Sequence, residues 1–112
     1  MHEMKLQEKY YNYILNGTKR VELRINDEKR QQINIGDIIT FRKAPELKES
    51  FQVKVVELIN AKSFKDLLKV MNIEDIADQS MTKEELLNVL EQFYSKEEQK
   101  QYGVLGIRFI LL

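Results

Sequence analysis

The 112-residue chain has no cysteine, no tryptophan, one proline, one histidine and four glycines. Without cysteine there is no disulfide framework, no thiol nucleophile and no cysteine-based zinc or iron–sulfur site. The single histidine, His2, is the one side chain that titrates near neutral pH when unperturbed, and no second imidazole exists to share a metal with it. It reads as an ordinary surface residue. The acidic pairs Asp27-Glu28, Glu74-Asp75, Glu84-Glu85 and Glu97-Glu98 are sequence neighbours without metal-ligand spacing, so neither a metal nor another cofactor is expected. Pro45 is the only proline, and no linker-like or low-complexity tract interrupts the chain. A single domain over residues 1–112 is the simplest division.

Long apolar runs and an excess of one charge are missing too. The closing stretch GVLGIRFILL is interrupted by Arg108 and falls well short of the ~20 residues of a membrane helix. The opening MHEMKLQEKY carries charges where a signal peptide has its apolar segment. These features predict a cytoplasmic protein with no membrane partner; the sequence does not fix an oligomeric state, and a monomer is favoured. Eighteen basic residues balance eighteen acidic ones, so no global field draws the protein to nucleic acid. Residues 1–60 carry 11 positive and 9 negative charges, and residues 61–112 carry 7 and 9. The difference is small, and only a local basic patch in the first half could support RNA binding.

What is present is a clear change of period along the chain. MHEMKL reads as a short strand. QEKYYNYILNG places Tyr10, Tyr11, Ile14 and Leu15 on one helical face and stops at Asn16-Gly17, where glycine accepts a left-handed cap. From Lys19 the pattern alternates, with Val21, Leu23 and Ile25 on one side and Arg20, Glu22 and Arg24 on the other, predicting a strand with one buried face. NDEKRQQINIGD reads as a connection with room for one helical turn, and Gly36-Asp37 as a turn before the strand IITFRK. FQVKVVELINA is a long strand rich in β-branched residues. Ser63 with Asp66, Thr82 with Glu85 and Ser95 with Glu98 have the spacing of helix N-terminal caps. The apolar stripes behind the first two are Phe64, Leu67, Leu68 and Met71, and Leu86, Leu87, Leu90, Phe93 and Tyr94. VLGIRFILL closes the chain as a strand in the interior of a sheet. The order strand, helix, three strands, helices, strand is that of an α+β domain.

The charges of residues 19–30 invite a functional reading. Glu22 and Arg24, two apart on a strand, leave the same face about 6–7 Å apart at the backbone, and Lys19 precedes them. One carboxylate and two cations offer an acceptor for a base amine and donors for a phosphate or carbonyl oxygen. The plain alternative is a solvated strand face. Lys29 and Arg30 extend a basic surface beside Asp27, Arg42 and Lys43 end a strand near it, and Tyr102 stands before the last strand where a base could stack on it.

GTKRVELR, IGDIITF and YGVLGIRF, in this order and spanning nearly the whole chain, resemble the ASCH domain of the PUA-like superfamily. The resemblance implies a small PUA-like β-barrel of mixed strands with flanking α-helices, and a cleft floored by the Lys-Glu-Arg strand. It implies RNA or a modified nucleoside as partner, with Lys19, Glu22, Arg24, Asp27, Lys29, Arg30 and Tyr102 as the candidate binding residues. One branch removes the acetyl group from N4-acetylcytidine with a lysine, a threonine and a glutamate. Its lysine falls on Lys19, its threonine on Glu22 and its glutamate, through MTKEEL, near Gln79. An amidohydrolase here would use Lys19 to activate the attacking group and Glu22 as general base. A metal-independent ribonuclease would set Lys19 against the developing negative charge.

Overall fold

The computed structural model describes residues 2–76 and 81–112; the Gln79 position lies outside them. The elements follow the expected order: β1 (His2–Leu6), α1 (Glu8–Leu15), β2 (Val21–Ile25), β3 (Ile38–Lys43), β4 (Ser50–Ala61), α2 (Phe64–Val70), α3 (Ile73–Ile76), α4 (Lys83–Phe93), α5 (Lys96–Tyr102) and β5 (Val104–Leu111), with a single 3₁₀ turn at Arg30–Gln32. The short α3 was not expected, whereas the other described helices were marked by an apolar stripe or a cap. Each expected cap forms. The Ser63 hydroxyl accepts from the Asp66 amide, and Thr82/Glu85 and Ser95/Glu98 close full capping boxes that satisfy the orphan donors of α4 and α5.

Among the described residues, five strands form one mixed sheet in the order β1-β3-β4-β5-β2. β1 runs parallel to β3, and the other pairs are antiparallel, with a bulge between Val55 and Glu57 on β4. The sheet curls so that its two edges approach each other without pairing. A guanidinium nitrogen of Arg24 on edge strand β2 donates to the Lys5 carbonyl of edge strand β1 at 3.0 Å. The result is a half-barrel with a seam, an α+β architecture with flanking helices.

The register determines which face of each strand meets which core. Leu105 and Ile107 of β5 join Met4, Leu6, Tyr11, Ile14, Ile39, Phe41, Val53 and Val55 in the core inside the curl. Glu22 pairs with Ile107 and Arg24 with Leu105, so these charged side chains share that inner face. Val21, Leu23 and Ile25 point the other way, into a second core made with Phe64, Leu67, Leu68, Leu86 and Leu90 of α2 and α4. β2 is thus buried on both faces, where the alternation alone predicts one buried face. His2 is also more than a surface group: its Nε2 lies 2.9 Å from Asp37, and the same carboxylate oxygen accepts from the Asn34 amide.

Gly103, the C-cap of α5, has φ 72° and ψ −175°, a region essentially reserved for glycine. A Cβ there would stand 3.0 Å from the Ala61 carbonyl oxygen, at the point where α5 feeds β5 beside β4. Gly103→Ala is expected to destabilise the fold by about 1–3 kcal/mol in urea unfolding. Gly17→Ala, at φ 82° with open space around it, should cost less.

Candidate functional site

The residues of the opening motif converge at the seam. Lys19 follows the Asn16-Gly17 turn and enters β2. Its Nζ donates to the Ile76 carbonyl at 2.8 Å and lies 3.3 Å from Glu22 Oε1. Arg24 holds the other carboxylate oxygen, Oε2, at 3.0 Å. The Glu22 carboxylate also takes a contact from the Leu23 amide. The side chains of Lys19, Glu22 and Arg24 are only 5, 9 and 16% exposed, which rules out the solvated strand face.

Burial and mutual attraction pull these groups in different directions. Burial alone would raise the Glu22 carboxyl, but the Lys19 and Arg24 cations overcome it and hold Glu22 below the usual carboxylate range. Lys19 is moved down, because burial outweighs its share of the Glu22 charge. Arg24, although burial opposes it, is held firmly protonated by Glu22, with a further interaction from the Tyr94 hydroxyl. One negative charge thus serves two cations. Arg24 takes both a short carboxylate contact and the seam carbonyl, so Lys19 is the cation left under-compensated.

Over this floor lies a cavity of about 260 Å³. Tyr10, Phe93 and Tyr94 supply its aromatic wall, and Ile76, Leu86 and Leu90 its apolar side. Lys19 Nζ stands 5.7 Å from the Tyr10 ring centroid, within cation–π range. Phe93 is 63% exposed, so it does not join the core as the helical stripe predicts. The α4 stripe continues beyond the packed interior and carries this ring to the cavity.

A second groove, about 480 Å³, shares Lys5 and Arg24 with the cavity and adds Glu3, Lys29, Arg30 and Arg42. Asp27 sits beside it as the partner of Arg30, at 3.1 Å from a guanidinium nitrogen, and its other oxygen caps the Arg30 amide. Arg42 is paired with Glu3 at 2.8 Å. Lys43 is paired with Glu49 and lines a different depression. The structure therefore brings together Lys19, Glu22 and Arg24, and joins them to Lys29 and Arg30 through Arg24. Tyr102 is not among them; it lines a separate groove between α2 and α5. Sequence reasoning assigned no site role to Tyr10, Phe93, Tyr94 or Lys5. The three rings fall on helical apolar stripes that resemble core positions, and only the spacing of the helices around the seam distinguishes them. Among the described residues no group of three or more His, Asp or Glu side chains is placed to hold a metal ion, and no helix is long and apolar enough to cross a membrane.

Removing the shared carboxylate exposes the energetics of this floor. Glu22→Gln leaves two buried cations uncompensated and is expected to lower stability by about 3–5 kcal/mol in urea unfolding at neutral pH. The folded state holds the Glu22 proton more weakly than the unfolded chain does. Its stabilisation is therefore present above the ordinary carboxylate range and lost as pH falls through the depressed folded value. The gap between the parent protein and Glu22→Gln should accordingly narrow on acidification, and a gap independent of pH would contradict this account.

Comparison with known proteins agrees with this architecture. The family model of the ASCH domain matches residues 4–112. The crystal structure of a hypothetical protein, PH0355, is 40% identical, with 98% of this chain and 97% of that one covered and a TM-score of 0.87. The solution structure of PF0455 from Pyrococcus furiosus is 34% identical over 99% of this chain and 96% of that one, with a TM-score of 0.78. A mutant ASCH protein from Zymomonas mobilis, 10% identical, shares the fold at a TM-score of 0.66 over 96% of this chain and 66% of that one. No curated protein matches. From its inner charged strand to its closing β-strand, the chain belongs to the ASCH domain family.

Proposed function

We propose that the seam cavity binds one nucleoside unit of an RNA strand, or a modified nucleoside, and that the adjoining groove carries its phosphates. The observation that carries this reading is the buried Lys19–Glu22–Arg24 floor beneath an aromatic wall. The aromatic rings supply stacking surfaces for a flat base. The volume matches a single base or nucleoside rather than a larger ligand.

Hydrogen-bond bookkeeping on the floor selects the chemistry of the ligand. Both Glu22 oxygens are already engaged by Lys19 and Arg24. Lys19 has three N–H donors; one goes to Ile76 and one to Glu22. Arg24 has five, with a single terminal nitrogen serving both Lys5 and Glu22. Arg24 also meets the Tyr94 hydroxyl. Most of the unspent capacity is donor capacity, which favours an acceptor over the floor: a ring carbonyl, an acyl carbonyl or a phosphate oxygen. Glu22 works as the anchor that orients two donors, and its Oε2, which accepts from Arg24 alone, keeps a lone pair for a base amine.

The downward-shifted Lys19 favours a second reading, an amide hydrolase acting on an acylated nucleoside. A buried amine made easier to deprotonate, 3.3 Å from a carboxylate, is suited to passing a proton. Glu22, held ionised by two cations, is a weak base, so Lys19 would be the proton carrier in that reaction.

Phe93→Ala tests the binding reading without disturbing the core, because the ring is mostly exposed. Titration of labelled protein with a short single-stranded RNA should shift the amides around Lys19, Arg24 and Phe93. Phe93→Ala should weaken that binding about ten-fold, in line with the ~1–3 kcal/mol of one base–aromatic stack. Equal affinity for the variant would remove the cavity from the interface. Incubation with N4-acetylcytidine separates the second reading: acetate release that disappears in Lys19→Ala supports it, and no release ends it.

A further inference from the structure

The aromatic residue left out of the seam, Tyr102, leads to a different face. It lines a groove of about 700 Å³ formed by the end of β4, the start of α2, α4 and α5. Lys62, Lys65, Lys96 and Lys100 line the same groove, together with Gln99, Gln101 and the single carboxylate Glu91. All four lysines are exposed, and none has an anionic partner among the described residues. Lys65 also borders a smaller depression with Lys69, Lys83 and Glu84. By contrast, every one of the five arginines is paired with a carboxylate: Arg20, Arg24, Arg30, Arg42 and Arg108.

This concentration of charge lies in the half of the sequence where acids outnumber bases, 9 to 7. Several of those acids face partners outside the groove. Asp75 is taken by Arg20 and Arg108, Glu85 and Glu98 close capping boxes, and Asp66 faces Lys69. In the groove one carboxylate, Glu91, faces four lysines, and Lys96 and Lys100, four apart on α5, project from one helical face. Four like charges around one concavity repel one another, and an anion of extended shape relieves that repulsion. A cationic groove with an aromatic ring among its cations is the pattern that follows a single nucleic-acid strand without reading its sequence.

We propose that this lysine groove is a second binding surface, which takes the phosphodiester backbone of a nucleic-acid strand independently of its bases. The inference rests on the reading of the chain as a nucleic-acid binder, but not on the chemistry of the seam cavity. The test is a triple variant, Lys62→Gln/Lys96→Gln/Lys100→Gln, which removes three exposed, unpartnered charges and leaves the core intact. Binding of a uridine oligonucleotide is measured across a salt series for the parent protein and the variant, and amide shifts are mapped with the oligonucleotide, with a free nucleoside and with heparin.

In the parent protein the oligonucleotide should shift amides of α5 and the start of α2. In the variant the magnitude of the slope of log affinity against log salt should fall by about two, at ~0.7 per phosphate contact on a single strand. The free nucleoside should bind both proteins alike. An unchanged salt slope would overturn the proposal, as would groove amides that respond to heparin but not to the oligonucleotide. If the nucleoside moves nothing at the seam while the oligonucleotide still shifts the groove, the seam reading fails and this one stands.

Discussion

Everything at the seam depends on one carboxylate held between two cations inside the curl of the sheet. Glu22 lies on the inner face of β2, opposite Ile107 on β5, in a place that would ordinarily carry an apolar side chain. A lone charge there would be strongly unfavourable; bracketed by Lys19 and Arg24 it is tolerated. The same arrangement replaces a missing piece of sheet. β1 and β2 do not pair, and the Arg24 guanidinium reaches from one edge to the Lys5 carbonyl of the other. The gap that remains beside it is the cavity. The charged cluster therefore both closes the fold and floors the site, and the two roles cannot be separated by mutation of Glu22.

A third support comes from α3. Its last residue, Ile76, presents a carbonyl to Lys19, and its Asp75 carboxylate is gripped by Arg20 and Arg108, with Arg20 also donating its backbone amide to the Asp75 carbonyl. Arg108 reaches on to Glu57 of β4. A four-residue helix has little stability of its own. It is held by burial of Ile76 in the second core and by this ionic contact to Arg20, just before β2, and to β5, and through it the position of the buried ammonium is tied to the outer surface of the sheet.

The fold was largely legible in the sequence because its local signals agree with one another. Three caps lie at the right spacing, period-two alternation marks β2, β-branched residues mark β4, and the Tyr102-Gly103 junction leads into an interior last strand. The short α3 was missed because its apolar pair, Ile73 and Ile76, is too short to mark a helix by itself; burial against the second core and side chains from distant strands hold it. The convergence of Lys19, Glu22 and Arg24 was also legible, but their environment was not. Alternation assigns polar residues to a solvated face, and the pairing of Glu22 with Ile107 puts them inside. Phe93 shows the opposite failure: helical periodicity places it with Leu86 and Leu90, yet the apolar interior ends one turn earlier. Tyr102 was separated from the other candidates by topology alone, since its neighbour Gly103 meets the far end of β2 and its ring faces the helices.

The shared carboxylate also gives the cavity floor a definite charge state. With Lys19 and Arg24 protonated and Glu22 ionised, the floor carries one net positive charge, and that excess belongs to the group whose proton burial makes easiest to lose. In that state a single negative charge placed over the floor would complete the local balance, so the cluster that closes the sheet also sets the sign of the field inside the curl, although the protein's overall formal charge is zero.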